Sequence, residues 1–166
     1  MSNSTVGDAA IAVVRRNTDE VQGKGDWRVF EELFADDFVD HTPQPGTTPD
    51  KDGVRVLYKR LRAASPDFRP EIHWQVAAGD LVTTYKTYHG THQGEFLGIP
   101  ATGKKISFYT VDAMRVVDGK ITEHWGVATL LDLMQQLGVV IADLPEKGQH
   151  RAAASGRAAL RRPSVR

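Results

Sequence analysis

The residues able to move a proton in an apolar setting are few in this sequence. Asp112 sits in Ile106-Ser107-Phe108-Tyr109-Thr110-Val111-Asp112-Ala113-Met114-Arg115-Val116, a strongly β-prone run. Four of the six histidines are candidates beside it: His41, His89, His92 and His124. A carboxylate and an imidazole are general acid/base groups. Cysteine is absent, which excludes disulfides, thiolate nucleophiles and Cys-zinc sites. There is no His-x-x-x-His helix pair and no set at ligand spacing, so no metal is expected. No glycine-rich phosphate loop follows a strand, so no nucleotide cofactor is expected.

Asp112 gains its interest from a hairpin. Asp118-Gly119 is a favoured two-residue turn between 105–117 and 121–129. Counting back from it sets Val116 opposite Ile121, Met114 opposite Glu123 and Asp112 opposite Trp125. Directly opposite residues share a face. The expected face holds Ile106, Phe108, Thr110, Asp112, Met114 and Val116, with Ile121, Glu123, Trp125 and Val127; His124 and Arg115 fall on the other side. A carboxylate in such a wall loses several kcal/mol of solvation if it stays charged and unpaired. Two readings stand: a hydrogen-bonded structural Asp, or one poised to exchange protons near neutral pH. His92 is flanked by Gly90 and Gly94, which allow a bend that aims it inward. His41 closes a short extended segment before a Pro-rich loop. Trp125, Phe108, Trp74 and Tyr58 suit either core or pocket lining, and Phe96 sits in the glycine-rich loop 90–103.

These residues must be held by elements that the periodicities outline. Apolar residues at helical spacing predict helices over 8–22, after Asp26 (Trp27, Phe30, Leu33, Phe34), and from Thr48-Pro49 to Ser65 (Val54, Leu57, Tyr58, Leu61). From Phe68 the period becomes two. One hairpin turns at 78–80, a second at Asp118-Gly119, and a short helix over 130–137 ends at Gly138. Helices followed by a strand meander indicate an α+β fold, with three N-terminal helices on a curved antiparallel sheet.

The 166 residues carry 40% hydrophobic and 25% charged positions, enough for one domain. Lys+Arg and Asp+Glu both number 21. That neutrality hides an asymmetry. From Lys147 onward there are 6 basic residues and no acidic ones, leaving 15 basic against 21 acidic before it. The reading is a domain over 1–141 and a basic tail over 142–166. The start has no basic n-region and no long apolar run. A cytoplasmic protein is expected, with no membrane and no nucleic-acid partner.

The run Gly90-Thr91-His92-Gln93-Gly94-Glu95-Phe96-Leu97-Gly98-Ile99-Pro100-Ala101-Thr102-Gly103-Lys104 resembles the signature of SnoaL-like polyketide cyclases, also called ester cyclases. Asp112 through Trp125 continues it, Gln136-Leu137-Gly138 closes it, and Asp40-His41-Thr42-Pro43 and Pro66-Asp67-Phe68-Arg69 fit upstream. The resemblance spans roughly residues 8–140. It implies a nuclear transport factor 2-like, cystatin-like cone, an α+β barrel in which a mixed sheet wraps helices around an apolar cavity. It implies aldol ring closure of an aromatic polyketide ester without metal or cofactor, with Asp112 matching the family's acid/base. His92 and His41 match cavity positions, and Trp125, Phe108, Tyr58, Trp74 and Phe96 are the expected substrate contacts. Members pair through the outer sheet face, which by parity would include Ala113, Gly126 and Ala128, so a homodimer is expected. Two other readings share the fold: a non-catalytic ligand-binding or dimerisation module, and an isomerase or hydrolase in the same cavity. An isomerase site would use Glu123 as a second inward acid.

Overall fold

The computed structural model describes residues 3–140. The basic tail expected over 142–166 lies outside the described residues. Helix α1 (Asn3–Arg16) runs into a π-helical turn, Asn17–Gln22, and α2 (Trp27–Leu33) follows. Asp26 caps α2, its carboxylate accepting from the backbone N–H groups of Arg28 and Val29. Next come β1 (Phe34–Asp40), α3 (Lys51–Ala64), β2 (Arg69–Ala78), β3 (Leu81–Thr91), β4 (Lys105–Val117), β5 (Lys120–Ala128) and α4 (Leu130–Gln136). The third helix starts later than Thr48-Pro49 predicts. Its cap is Asp50, which accepts from Gly53 N–H at 2.9 Å, while Pro49 C=O is engaged by Asp40 N–H.

The five strands lie in the order β1-β5-β4-β3-β2. Only β1 is parallel to its neighbour. The sheet is open, with β1 and β2 as edges, so the expected barrel does not close. Its inner face packs on the helices. Val14, Val21, Phe30, Phe34, Val82 and Ile121 form the heart of one cluster. Phe68, Tyr88, Phe96, Phe108, Leu133 and Leu137 form a second, under α4. No described helix is long and apolar enough to cross a membrane.

The second hairpin departs from simple counting. Asp118 and Gly119 both have positive φ, 50° and 76°, as the predicted turn requires. Val116 faces Ile121 as expected, but Arg115 then faces Glu123. Thr122 is an extra residue, a β-bulge, and it shifts every later pairing by one. Asp112 faces Gly126, Ala113 faces Trp125, and Met114 faces His124. His124, Gly126 and Ala128 therefore turn inward, while Glu123 and Trp125 turn outward. Ala113 keeps its expected outer place; Gly126 and Ala128 do not. The bulge also removes Glu123 from the Asp112 face. Arg115 lies outside as expected, bonded to Asp80 and Glu123.

Candidate active site

Strand β4 carries Phe108, Thr110, Asp112 and Met114 to the inner face, where the helices leave a narrow cavity. Leu57, Tyr58 and Leu61 of α3 line it, with Phe34, Phe38, Tyr88, Phe96 and Leu130. The polar groups on the wall are few: Gln22, Asp40, Gln44, Tyr58, Tyr88, Thr110, Asp112 and His124. Apolar walls with a few placed polar groups orient a ligand and strengthen electrostatics within.

Asp112 is 4% exposed, and Lys86 of β3 is fully buried beside it. Lys86 Nζ lies 2.7 Å from Asp112 Oδ2. Thr84 pairs with Asp112 and Lys86 with Thr110, so the lysine is Asp112's diagonal neighbour on one sheet face. The contact is an ion pair out of line for a hydrogen bond, and Oδ1 has no hydrogen-bond partner among the described residues. One carboxylate oxygen is thus held by a cation and the other is uncommitted. Lys86 was not anticipated from sequence. Its strand reads Leu81-Val82-Thr83-Thr84-Tyr85-Lys86, with neither parity cleanly apolar.

A second buried acid, Asp40, is 4% exposed at the end of β1. Its Oδ1 lies 2.8 Å from His124 Nδ1 and accepts from Thr42 N–H at 3.0 Å. Burial pushes the Asp40 carboxyl up. The His124 hydrogen bond and charge, with the Thr42 bonds, outweigh that and hold it below the usual carboxylate value. Thr42 Oγ1 in turn accepts from Gly126 N–H at 2.7 Å. A signal for Asp40 existed: Phe38 belongs to the core, so Asp40, two residues on, faces the same way and His41 faces out.

The π-helical turn supplies the third polar group. Its widened pitch brings Asn17 and Gln22, five apart, to one phenol: Asn17 Nδ2 at 3.3 Å and Gln22 Nε2 at 2.7 Å from Tyr58 Oη. Tyr88 donates to Gln22 Oε1 at 2.9 Å. Burial raises both phenols, and the Asp112 charge raises Tyr88 further. Both stay protonated and neutral at any physiological pH.

The remaining predicted residues divide. Tyr58, Phe96 and Phe108 line the cavity with Asp112. His92 is fully buried but lines a smaller neighbouring compartment behind Phe96 and Phe108. Its Nδ1 accepts from Thr102 N–H at 3.2 Å, so the ring hydrogen is on Nε2, which has no partner among the described residues. His41, Trp125 and Trp74 are not in the cavity wall. His41 stacks on Trp125 at 4.4 Å on the outer face, with Nε2 2.8 Å from Glu123. Trp74 is 46% exposed against Tyr85. The bulge turns Trp125 out, and strand parity does the same for His41. Among the described residues no three His, Asp or Glu side chains converge as metal ligands.

Comparison with known proteins agrees with this geometry. The chain is 37% identical over 100 residues to the aklanonic acid methyl ester cyclase DnrD of Streptomyces peucetius, covering 60% of this chain and 68% of that one. It is 37% identical over 60 residues to the nogalonic acid methyl ester cyclase of Streptomyces nogalater, covering 36% and 45%. The crystal structure of IdmH from Streptomyces antibioticus superposes with a TM-score of 0.69 at 33% identity, covering 78% of this chain and 99% of that one. The nuclear transport factor 2-like fold implied by the sequence motifs is the one observed. Residues 12–137 match the model of the SnoaL-like polyketide cyclases, a span that includes the cavity and both of its buried acids, and the chain belongs to that family.

Proposed function

We propose that the protein closes a ring in an apolar, polyketide-like ester by intramolecular aldol addition, with Asp112 as the base. The observation that carries this is the uncommitted Oδ1 of a carboxylate set in the cavity wall. A C–H flanked by a ketone and an ester carbonyl is acidic enough for a carboxylate. Asp112 Oδ1 takes the proton, and the C–H pair becomes an enolate. The enolate carbon attacks a ketone carbon; the new C–C bond forms and the C=O π pair moves onto oxygen. The walls from Leu57 to Phe108 hold the chain folded, which lowers the entropic barrier. Lys86, on Oδ2, keeps the carboxylate oriented and its charge balanced. The step needs only acid/base groups. The methyl esters in the relatives' names fit this substrate class.

Pairing of two copies and a cytoplasmic location belong to the same reading. The outer sheet face exposes Trp74, Val76, Tyr109, Val111 and Val127. A contiguous apolar face of that kind is suited to a partner.

The test is Asp112→Asn assayed with aklanonic acid methyl ester. Loss of turnover with ligand binding and fold retained supports the base. The competing reading, a binding module whose Asp112 only closes an ion pair, is favoured by the same Lys86 contact. Turnover absent in the wild type would select it, whereas turnover unchanged by Asp112→Asn would remove Asp112 as the base.

A further inference from the structure

Ring closure leaves a negative charge on a second oxygen, away from the carbon that lost its proton. The cavity is largely apolar, and a second proton donor on the same wall would serve that oxygen while Asp112 faces the first site. The side chain in place is His124. Its Nδ1 is bonded to Asp40 at 2.8 Å, so Nδ1 carries a hydrogen and Nε2 is the free end. Gly126 lies directly opposite Asp112 and has no side chain. A Cβ there would sit 2.8 Å from His124 Nε2 and 3.3 Å from Asp112 Cβ. The imidazole tip thus packs over Gly126, in the place a side chain would take, next to the Asp112 side chain on the cavity wall.

Resting on the aldol reading above, we infer that His124, oriented by Asp40, donates the proton that converts the new alkoxide to the hydroxyl. The Nε2–H bond breaks, the O–H bond forms, and the pair from N–H stays on Nε2. The proton that Asp112 took from carbon then passes to Nε2, which lies beside it over Gly126. The cycle consumes no proton, as an internal addition requires. Asp40 is the positioning residue: its charge balances the imidazolium, and its hydrogen bond aims Nε2. A merely structural pair is less economical here, because β1 and β5 are already joined by the backbone bond from His41 N–H to His124 C=O.

The two steps are separable by isotope. In D2O, reversible removal of the acidic proton places deuterium on carbon even when closure fails. The probe is aklanonic acid methyl ester with the full-length protein. His124→Asn keeps an N–H near Nδ1 for Asp40 but has nothing at Nε2. It is expected to lower closure by ~100-fold or more while exchange stays within about threefold of wild type. Asp40→Asn is expected to lower kcat for closure about tenfold, with KM and exchange unchanged. Closure unaltered in His124→Asn, or exchange lost together with closure in the folded variant, overturns the assignment. His124→Gln, which leaves the Nδ1 position empty, serves if His124→Asn does not fold. Exchange surviving in Asp112→Asn refutes the base instead, whatever His124 does. A wild type with neither exchange nor closure defeats both.

Discussion

Replacing Lys86 by Met isolates the buried ion pair. Nζ and Oδ2 are 2.7 Å apart, and neither side chain is more than 5% exposed. At an effective dielectric of about 20, unit charges at that distance attract by about 6 kcal/mol. Withdrawing both ions from water takes back several kcal/mol each, so the intact pair adds little relative to two apolar side chains. Deleting one partner is another matter. It leaves the Asp112 charge in an apolar wall with no counter-ion, a loss of about 3–5 kcal/mol. Domain stability is about 5–15 kcal/mol, so the effect is a large share of the total. Urea unfolding at neutral pH measures it. Lys86→Met combined with Asp112→Leu should recover most of the loss, giving a coupling of about 2–3 kcal/mol. Turnover should fall in Lys86→Met, because nothing then holds Asp112 Oδ2 and orients the carboxylate. A loss under about 1 kcal/mol, or strict additivity in the double variant, would refute the electrostatic account. If only the single variant fails to fold, that account stands; if the double variant fails too, the buried lysine stem rather than its charge is what the core requires.

Asp40 should mark the acid limb of stability. Its folded value lies below the ordinary 3.8, so its contribution is fully present above that value and is lost as pH falls through the folded one. The urea midpoint of Asp40→Asn should trail wild type at pH 6, and the gap should narrow below about pH 4. Gly126→Ala puts a methyl 2.8 Å from His124 Nε2. We expect a loss of about 1–3 kcal/mol by unfolding and a larger proportional loss of turnover. The pairing of two copies proposed above predicts that Val76→Lys, on the outer face at 57% exposure, shifts sedimentation from dimer to monomer while leaving the fold unchanged.

Much of the architecture was legible because local physics sets it. Asp26 capping, the Asp118-Gly119 turn and the alternation of Phe108, Thr110, Asp112, Met114 and Val116 each depend on near neighbours. Position 112 was readable for that reason. His124 and Trp125 were misplaced by one inserted residue, Thr122. A bulge has no distinctive local composition, and strand parity turns a single slip into an exchange of faces. Asp40 was readable from Phe38 but stood beside a more conspicuous His41.

The sequence by itself determined the element order, an apolar wall bearing one carboxylate, and the motifs of a cyclase family, all of which follow from short-range periodicity and turn chemistry. Only the tertiary structure decided which groups meet in the cavity. Lys86 reaches Asp112 through the pairing of β3 with β4, and Asp40 reaches His124 through a parallel contact between residues 84 apart. Such contacts depend on register and on how strands are ordered, and no local pattern encodes either one.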